Sequence, residues 1–165
     1  MDQTVEHSNG QRGAAGGPES DWFLRHAGLI VVLFAAAVFV GCMVSPPSLM
    51  DDVDAVQAQI ARNFLQSGDW VIAHLDGVPY IEKSPLNYWI MALCFWIFGP
   101  HDWAARIPNA LTAVLLAWMT FRYGRWAFGK RVGFFAGLCI ATSTGLFMFT
   151  RIQIPDVMIT LTVGL

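Results

Sequence analysis

Charge is scarce in this sequence. Of its 165 residues, 13% are Asp, Glu, Lys or Arg, about half the share of a soluble domain. Ten basic and twelve acidic residues leave a formal net charge of −2. That balance excludes a nucleic-acid binder, which presents a basic face. Cysteine is also sparse. Cys42, Cys94 and Cys139 stand far apart, each in an apolar run. They form no disulfide scaffold and no Cys/His metal spacing, and they read as small buried hydrophobes. Phe39-Val40-Gly41-Cys42 has the order of a lipoprotein signal end, but the apolar run before it is long for that and the preceding tail is mixed in charge. Apolar side chains are what the chain has in excess. They make up 55% of it, with twelve Phe, seven Trp and seven Met. A small core cannot hide so many, and so hydrophobic a chain is not disordered along most of its length. The class that remains is a membrane protein.

Residues 1–24 are polar and Gly-rich, without apolar period, and read as a disordered tail. Ala27 to Val44 then runs 18 residues without a charge, long enough to cross a hydrocarbon core of about 30 Å. Ser45-Pro46-Pro47-Ser48 ends it. In the polar stretch that follows, Val56, Ile60 and Phe64 recur at helical spacing, and Gly68 is placed to end that helix. Gly77-Val78-Pro79 and Ser84-Pro85 mark turns. Asn87 to Gly99 is apolar but only 13 residues long, too short to span, and its aromatics suit a membrane interface. Residues 103–121 form a second span and 132–149 a third. Residues 157–165 begin a fourth that stops after nine residues, so the chain reads as the N-terminal fragment of a longer protein. The expected fold is an all-α membrane protein with about three complete transmembrane helices, the start of a fourth, and interfacial helices in a first outer loop, residues 45–102. Residues 25–165 make up this membrane domain.

Arg122, Arg125, Lys130 and Arg131 crowd the connection between the second and third spans. Cationic loops stay in the cytoplasm, so the N-terminal tail is cytoplasmic too, and residues 45–102 and 150–156 share the outer face. Eight of the twelve acids then lie outside: Asp51, Asp52, Asp54, Asp69, Asp76, Glu82, Asp102 and Asp156. Asp51, Asp52 and Asp54 follow the first span; Asp156 precedes the fourth. Acids at the mouths of different spans can converge on one cavity and act there. Helix capping alone asks for one Asp, and three in four positions exceed it. Glu82-Lys83 also suits a local ion pair in a turn. Arg62 and Arg106 suit membrane-boundary anchors, as do Tyr88, Trp89 and Trp96. His74 and His101 stand alone.

The runs Ile60-Ala61-Arg62-Asn63-Phe64, Ser67-Gly68-Asp69-Trp70-Val71 and Leu75 through Trp89 (LDGVPYIEKSPLNYW), followed by Phe98 through Pro108 (FGPHDWAARIP), resemble the first extracytoplasmic loop of GT-C glycosyltransferases. These are the protein O-mannosyltransferase-like enzymes and the bacterial lipid A aminoarabinose transferase. The resemblance covers about residues 27–165. It implies a polytopic inner-membrane enzyme that takes a polyprenyl-phosphate sugar as donor, with the active-site loop outside. It implies an Asp after the first span as general base, met here by Asp52 or Asp54, and a second Asp in the next outer loop, met by Asp156. Asp51 and Arg62 accompany the first acid. Tyr80, Glu82, Lys83 and Pro85 correspond to a Tyr-x-Glu-Lys-x-Pro motif whose Lys holds the donor phosphate. Counted back from Arg62, Asp54 occupies the second acid's place and Val53 the first's, so spacing leaves Asp52 and Asp54 both open; the Arg that some relatives carry there is Val56 here.

The implied chemistry is an inverting displacement. An acceptor (a protein hydroxyl, lipid A or another envelope glycan) attacks the anomeric carbon opposite the phosphate, a carboxylate takes or orients its proton, and Lys83 offsets charge on the departing phosphate. Some relatives use a divalent metal, and nothing in this sequence fixes one. A fragment of this kind is expected to be inactive alone. The alternative is a polytopic transporter or channel subunit with an acid-lined outer vestibule. It calls for mid-span ionisable residues and broken helices, whereas the acids here stand at span ends. A non-catalytic membrane anchor gives no reason for so structured a loop.

Overall fold

The computed structural model describes residues 18–41, 43, 52–80, 85–152 and 156–164. Seven helices and one small hairpin account for nearly all of them. In chain order they are α1 (Pro18–Gly41), α2 (Asp52–Ser67), β1 (His74–Leu75), β2 (Val78–Pro79), α3 (Leu86–Phe98), α4 (Asp102–Phe128), α5 (Lys130–Ala141), α6 (Thr144–Arg151) and α7 (Asp156–Gly164).

α1 begins at Pro18, inside the stretch whose composition suggests a tail. Proline suits a first helical turn because its missing N–H has no partner to lose there. The helix buries Ala27, Val31, Ala35 and Phe39, one residue per turn. Their partners are Ala110, Ala113, Ala117 and Phe121 of α4, with Phe134 and Ala141 of α5. Small residues on facing helices let backbones approach, which is how helices associate where water drives nothing. The closest approach joins α4 to α5. A Cβ added at Gly133 would stand 2.5 Å from the Arg125 backbone nitrogen and 2.7 Å from the Phe121 carbonyl oxygen. Gly129, at φ +96°, makes the turn between the two helices; that region is open to glycine at little cost.

A second core lies toward the start of α4. It joins Ile60, Ala61 and Phe64 of α2 to Tyr88, Met91, Ala92 and Phe95 of α3 and to Ala104 and Ala105 of α4. α2 ends as its sequence suggests: Gly68 takes φ +71° and its N–H donates to the Phe64 carbonyl at 3.1 Å. α3 has 13 residues, about 20 Å of helix, well short of a membrane core. Its buried side carries Tyr88, Met91 and Phe95, and its other side exposes Trp89, Leu93, Trp96 and Ile97. Trp89 Nε1 donates to the Trp70 carbonyl at 2.7 Å, tying the loop to the helix.

Two features depart from the expected pattern. The turn at residues 76–77 is a β-hairpin, pairing His74 with Pro79 and Leu75 with Val78. Asp76 and Gly77 both have positive φ, 51° and 82°, the geometry that Asp-Gly favours between twisted strands. The chain is therefore mostly rather than wholly helical. The apolar run 132–149 is two helices, α5 and α6, bent by 45°. Thr142 Oγ1 turns back to the Leu138 carbonyl at 2.9 Å, and Ser143 adopts an extended backbone. Ser/Thr back-bonding of this kind bends helices. Among the described residues one helix, α4, is by itself long and apolar enough to cross a membrane, and the bent pair α5–α6 passes the same test when taken together.

Candidate functional site

Arg106 gathers three segments at one end of the bundle. It lies in the second turn of α4 and is 3% exposed. Its Nη2 donates to Asp54 Oδ2 at 3.3 Å. Its Nη1 donates to the Asp102 carbonyl at 3.3 Å, and its Nε to the Arg151 carbonyl at 3.2 Å. One turn on, Asn109 Nδ2 donates to the Ile152 carbonyl at 3.4 Å. One guanidinium and one amide therefore hold the C-terminal end of α6, and the same guanidinium holds the start of α2. Arginine suits this because its five donors sit in a fixed planar fork and its charge persists when buried. A buried Asp is tolerated beside it because the pair neutralises both charges.

This arrangement decides which sequence candidates meet. Asp54 is buried and committed to Arg106. Asp52 is the first residue of α2, two positions away; its side chain, with Asp51, Glu82 and Lys83, lies outside the described residues. Asp156 opens α7 with its side chain exposed. It follows Ile152 by four residues, so at most about 14 Å of chain separates it from the clasp. The mouths of α2, α4 and α7 thus converge. Arg62 and Tyr80 are not part of this convergence. Arg62 is exposed, on α2 eight residues from Asp54. Tyr80 packs against the second core, and its N–H donates to the Ala73 carbonyl at 2.7 Å.

Sequence reasoning missed Asn109 and Arg151, and it read Arg106 as a boundary anchor where the structure makes it the centre of a buried clasp. The available signal was the Arg-x-x-Asn spacing on an otherwise apolar helix face. Polar atoms are also buried without a hydrogen bond at Gln57 Oε1 and at both amide atoms of Asn87. In the loop, Asp69 Oδ1 accepts from the Val71 N–H at 3.0 Å and the Ile72 N–H at 3.4 Å. Those two bonds, Val71 first, hold its carboxyl below the ordinary range. Among the described residues no three of His, Cys, Asp and Glu gather to hold a cation.

Comparison with known proteins gives this geometry a context. Residues 82–165, just over half of the chain, match the model of the family described as dolichyl-phosphate-mannose-protein mannosyltransferase. The undecaprenyl phosphate-alpha-4-amino-4-deoxy-L-arabinose arabinosyl transferase of Yersinia enterocolitica is 31% identical over 136 residues, covering 80% of this chain and 24% of that protein. A transferase of the same description from Sodalis glossinidius is 36% identical, covering 48% of this chain and 16% of its own. One from Edwardsiella ictaluri is 40% identical, covering 41% and 12%. The chain thus spans 24% or less of the length of these relatives. No solved structure matches it. With the match over half its length and an apolar helical fold around the matched segment, this chain belongs to the dolichyl-phosphate-mannose-protein mannosyltransferase family of membrane glycosyltransferases.

Proposed function

We propose that the protein transfers a sugar, with inversion, from a polyprenyl-phosphate donor to an acceptor on the outer face of the inner membrane. The observation that carries this reading is the convergence of three chain segments on Arg106, which brings the start of α2 and the end of α6, five residues before Asp156, to one end of the bundle. Two acids then serve one reaction. With Asp54 committed to an ion pair, the general base falls to Asp52, whose carboxylate takes the proton from the acceptor hydroxyl. Asp156 faces the same reaction from the next outer segment and orients acceptor or sugar. Lys83 offsets the charge on the departing phosphate, and Glu82 and Asp51 shape the donor side, while Arg62 and Tyr80 lie apart from the convergence. The donor class agrees with the undecaprenyl phosphate in the relatives' names. Protein hydroxyls, lipid A and other envelope glycans are the candidate acceptors.

The proposed topology follows from charge. The turn holding Arg122, Arg125, Lys130 and Arg131 lies in the cytoplasm with the N-terminus. α1, α4 and the bent pair α5–α6 cross, α7 begins a fourth span, and α2 and α3 lie at the outer interface. Exposed Trp89 and Trp96 on α3 suit that interface. The 45° bend between α5 and α6 is a feature the transporter reading also expects. It stands at a Thr-Ser-Thr run with no acid inside it, and family membership favours the enzyme.

The test replaces each acid in the complete protein and measures transfer in vesicles. Asp52→Asn and Asp156→Asn are expected to lower the rate at least a hundredfold at unchanged membrane levels, in line with loss of a general base. Wild-type rates in both would end the assignment.

A further inference from the structure

Arg151 carries a positive charge that nothing among the described residues answers. It is the last residue of α6, half-buried, and its Nε is buried without a hydrogen-bond partner. Its guanidinium lies over the Phe147 ring, 5.6 Å from the centroid. The carboxylate of the clasp, Asp54, is taken by Arg106. The end of α6 thus carries two guanidiniums against one paired carboxylate. A cation at a helix C-terminus is favoured by the helix dipole, but the dipole does not satisfy a dehydrated N–H. The position is also fixed: the Arg151 carbonyl accepts from Arg106 Nε, and the next carbonyl, of Ile152, accepts from Asn109.

A half-buried guanidinium whose Nε has no hydrogen-bond partner, on a backbone held by Arg106 and Asn109, fits an anion with several oxygens. Phosphate matches the fork of arginine bidentately. We propose that Arg151 binds the phosphate of the lipid-linked donor, and that Arg106, itself clamped by Asp54, is the positioning residue that holds Arg151 in place. The assignment rests on the transfer reading above and adds a phosphate ligand that sequence reasoning had sought in Lys83. The shared chemistry is a phosphate on a lipid, which a polyprenyl phosphate and an ordinary phospholipid both offer.

The experiment separates these sources. The complete protein is placed in phosphatidylcholine nanodiscs and titrated with undecaprenyl phosphate, with phosphatidylglycerol and with inorganic phosphate. Arg151→Gln is expected to weaken undecaprenyl phosphate binding about 10- to 100-fold, the cost of a charge-assisted bidentate contact. Arg151→Lys keeps the charge, loses the fork, and is expected to fall between. Phosphatidylglycerol binding stays unchanged. In turnover, Arg151→Gln raises the donor KM and leaves kcat within about threefold, a pattern that a merely structural lesion does not give. Arg106→Lys weakens binding in the wild type and adds nothing in the Arg151→Gln background, because it acts through Arg151. Binding by Arg151→Gln within twofold of wild type overturns the proposal. Equal loss of phosphatidylglycerol binding overturns it as well, making Arg151 a general headgroup contact. Arg151-dependent binding of undecaprenyl phosphate by a protein that transfers no sugar upholds this inference and defeats the transfer reading instead.

Discussion

Removing Arg106 from the clasp is the sharpest perturbation the fold offers. Arg106→Met keeps the aliphatic stem and deletes the guanidinium. Asp54, its side chain 7% exposed beside the 4% of Arg106, is then a buried carboxylate without its countercharge. Breaking a buried pair from one side costs about 3–5 kcal/mol. The contact here is 3.3 Å, long against the roughly 2.7–2.9 Å of a strong charge-assisted bond, so the lower end applies, about 3 kcal/mol. The carbonyls of Asp102 and Arg151 also lose a donor. Asp54→Leu leaves the guanidinium two carbonyl partners and costs about 2–3 kcal/mol. The double variant replaces a pair by apolar side chains, a change that is often close to neutral. The double-mutant cycle therefore predicts a coupling above about 2 kcal/mol. Denaturant unfolding of the full chain in detergent measures it. Singles below about 1 kcal/mol, or a double variant equal to their sum, would refute the clasp.

Gly133→Ala places a Cβ against the Arg125 and Phe121 backbones; we expect a loss of about 3 kcal/mol in the same assay, and a neutral result would deny the close α4–α5 contact. Asp69 has its folded pKa below the ordinary 3.8, so its contribution is present above that value and lost as pH falls through the lower one. Amide protection at Val71 and Ile72 should accordingly hold from about pH 7 to 5, fall only in stronger acid, and be reduced across that range in Asp69→Ala; protection indifferent to the substitution contradicts the turn. For topology, with native cysteines replaced by Ser, an impermeant thiol reagent added outside should label Val78→Cys and leave Lys130→Cys unlabelled. The reverse pattern would invert the placement of every acid.

Local signals survived into the structure where their cause is local. The recurrence of Ile60 and Phe64 marks the buried face of α2, and Gly68 ends it because the chain there needs positive φ. The 13 apolar residues of α3 are short in the sequence and short in the fold. The Asp76-Gly77 hairpin and the Thr142-Ser143 break were also written locally, but a continuous apolar run and a general turn signal concealed them. The clasp was not legible for a different reason. Asp54 and Arg106 are 52 positions apart, and each alone suits a bland role, a helix cap or a boundary anchor. Only the packing of α2 on α3, and of α3 on α4, makes them partners. Asn109 and Arg151 depend likewise on α6 returning to the start of α4. The acids at span mouths were readable because charge avoids the membrane core; which of them pairs and which is free to react is a tertiary property.

Donor turnover tests the central claim most directly. The complete protein, purified into vesicles and given a polyprenyl-phosphate sugar and an acceptor extract, should release polyprenyl phosphate and form a product whose anomeric configuration is opposite to the donor's, with both lost in Asp52→Asn. Intact donor after prolonged incubation with every acceptor class, or a product that retains configuration, would contradict the account.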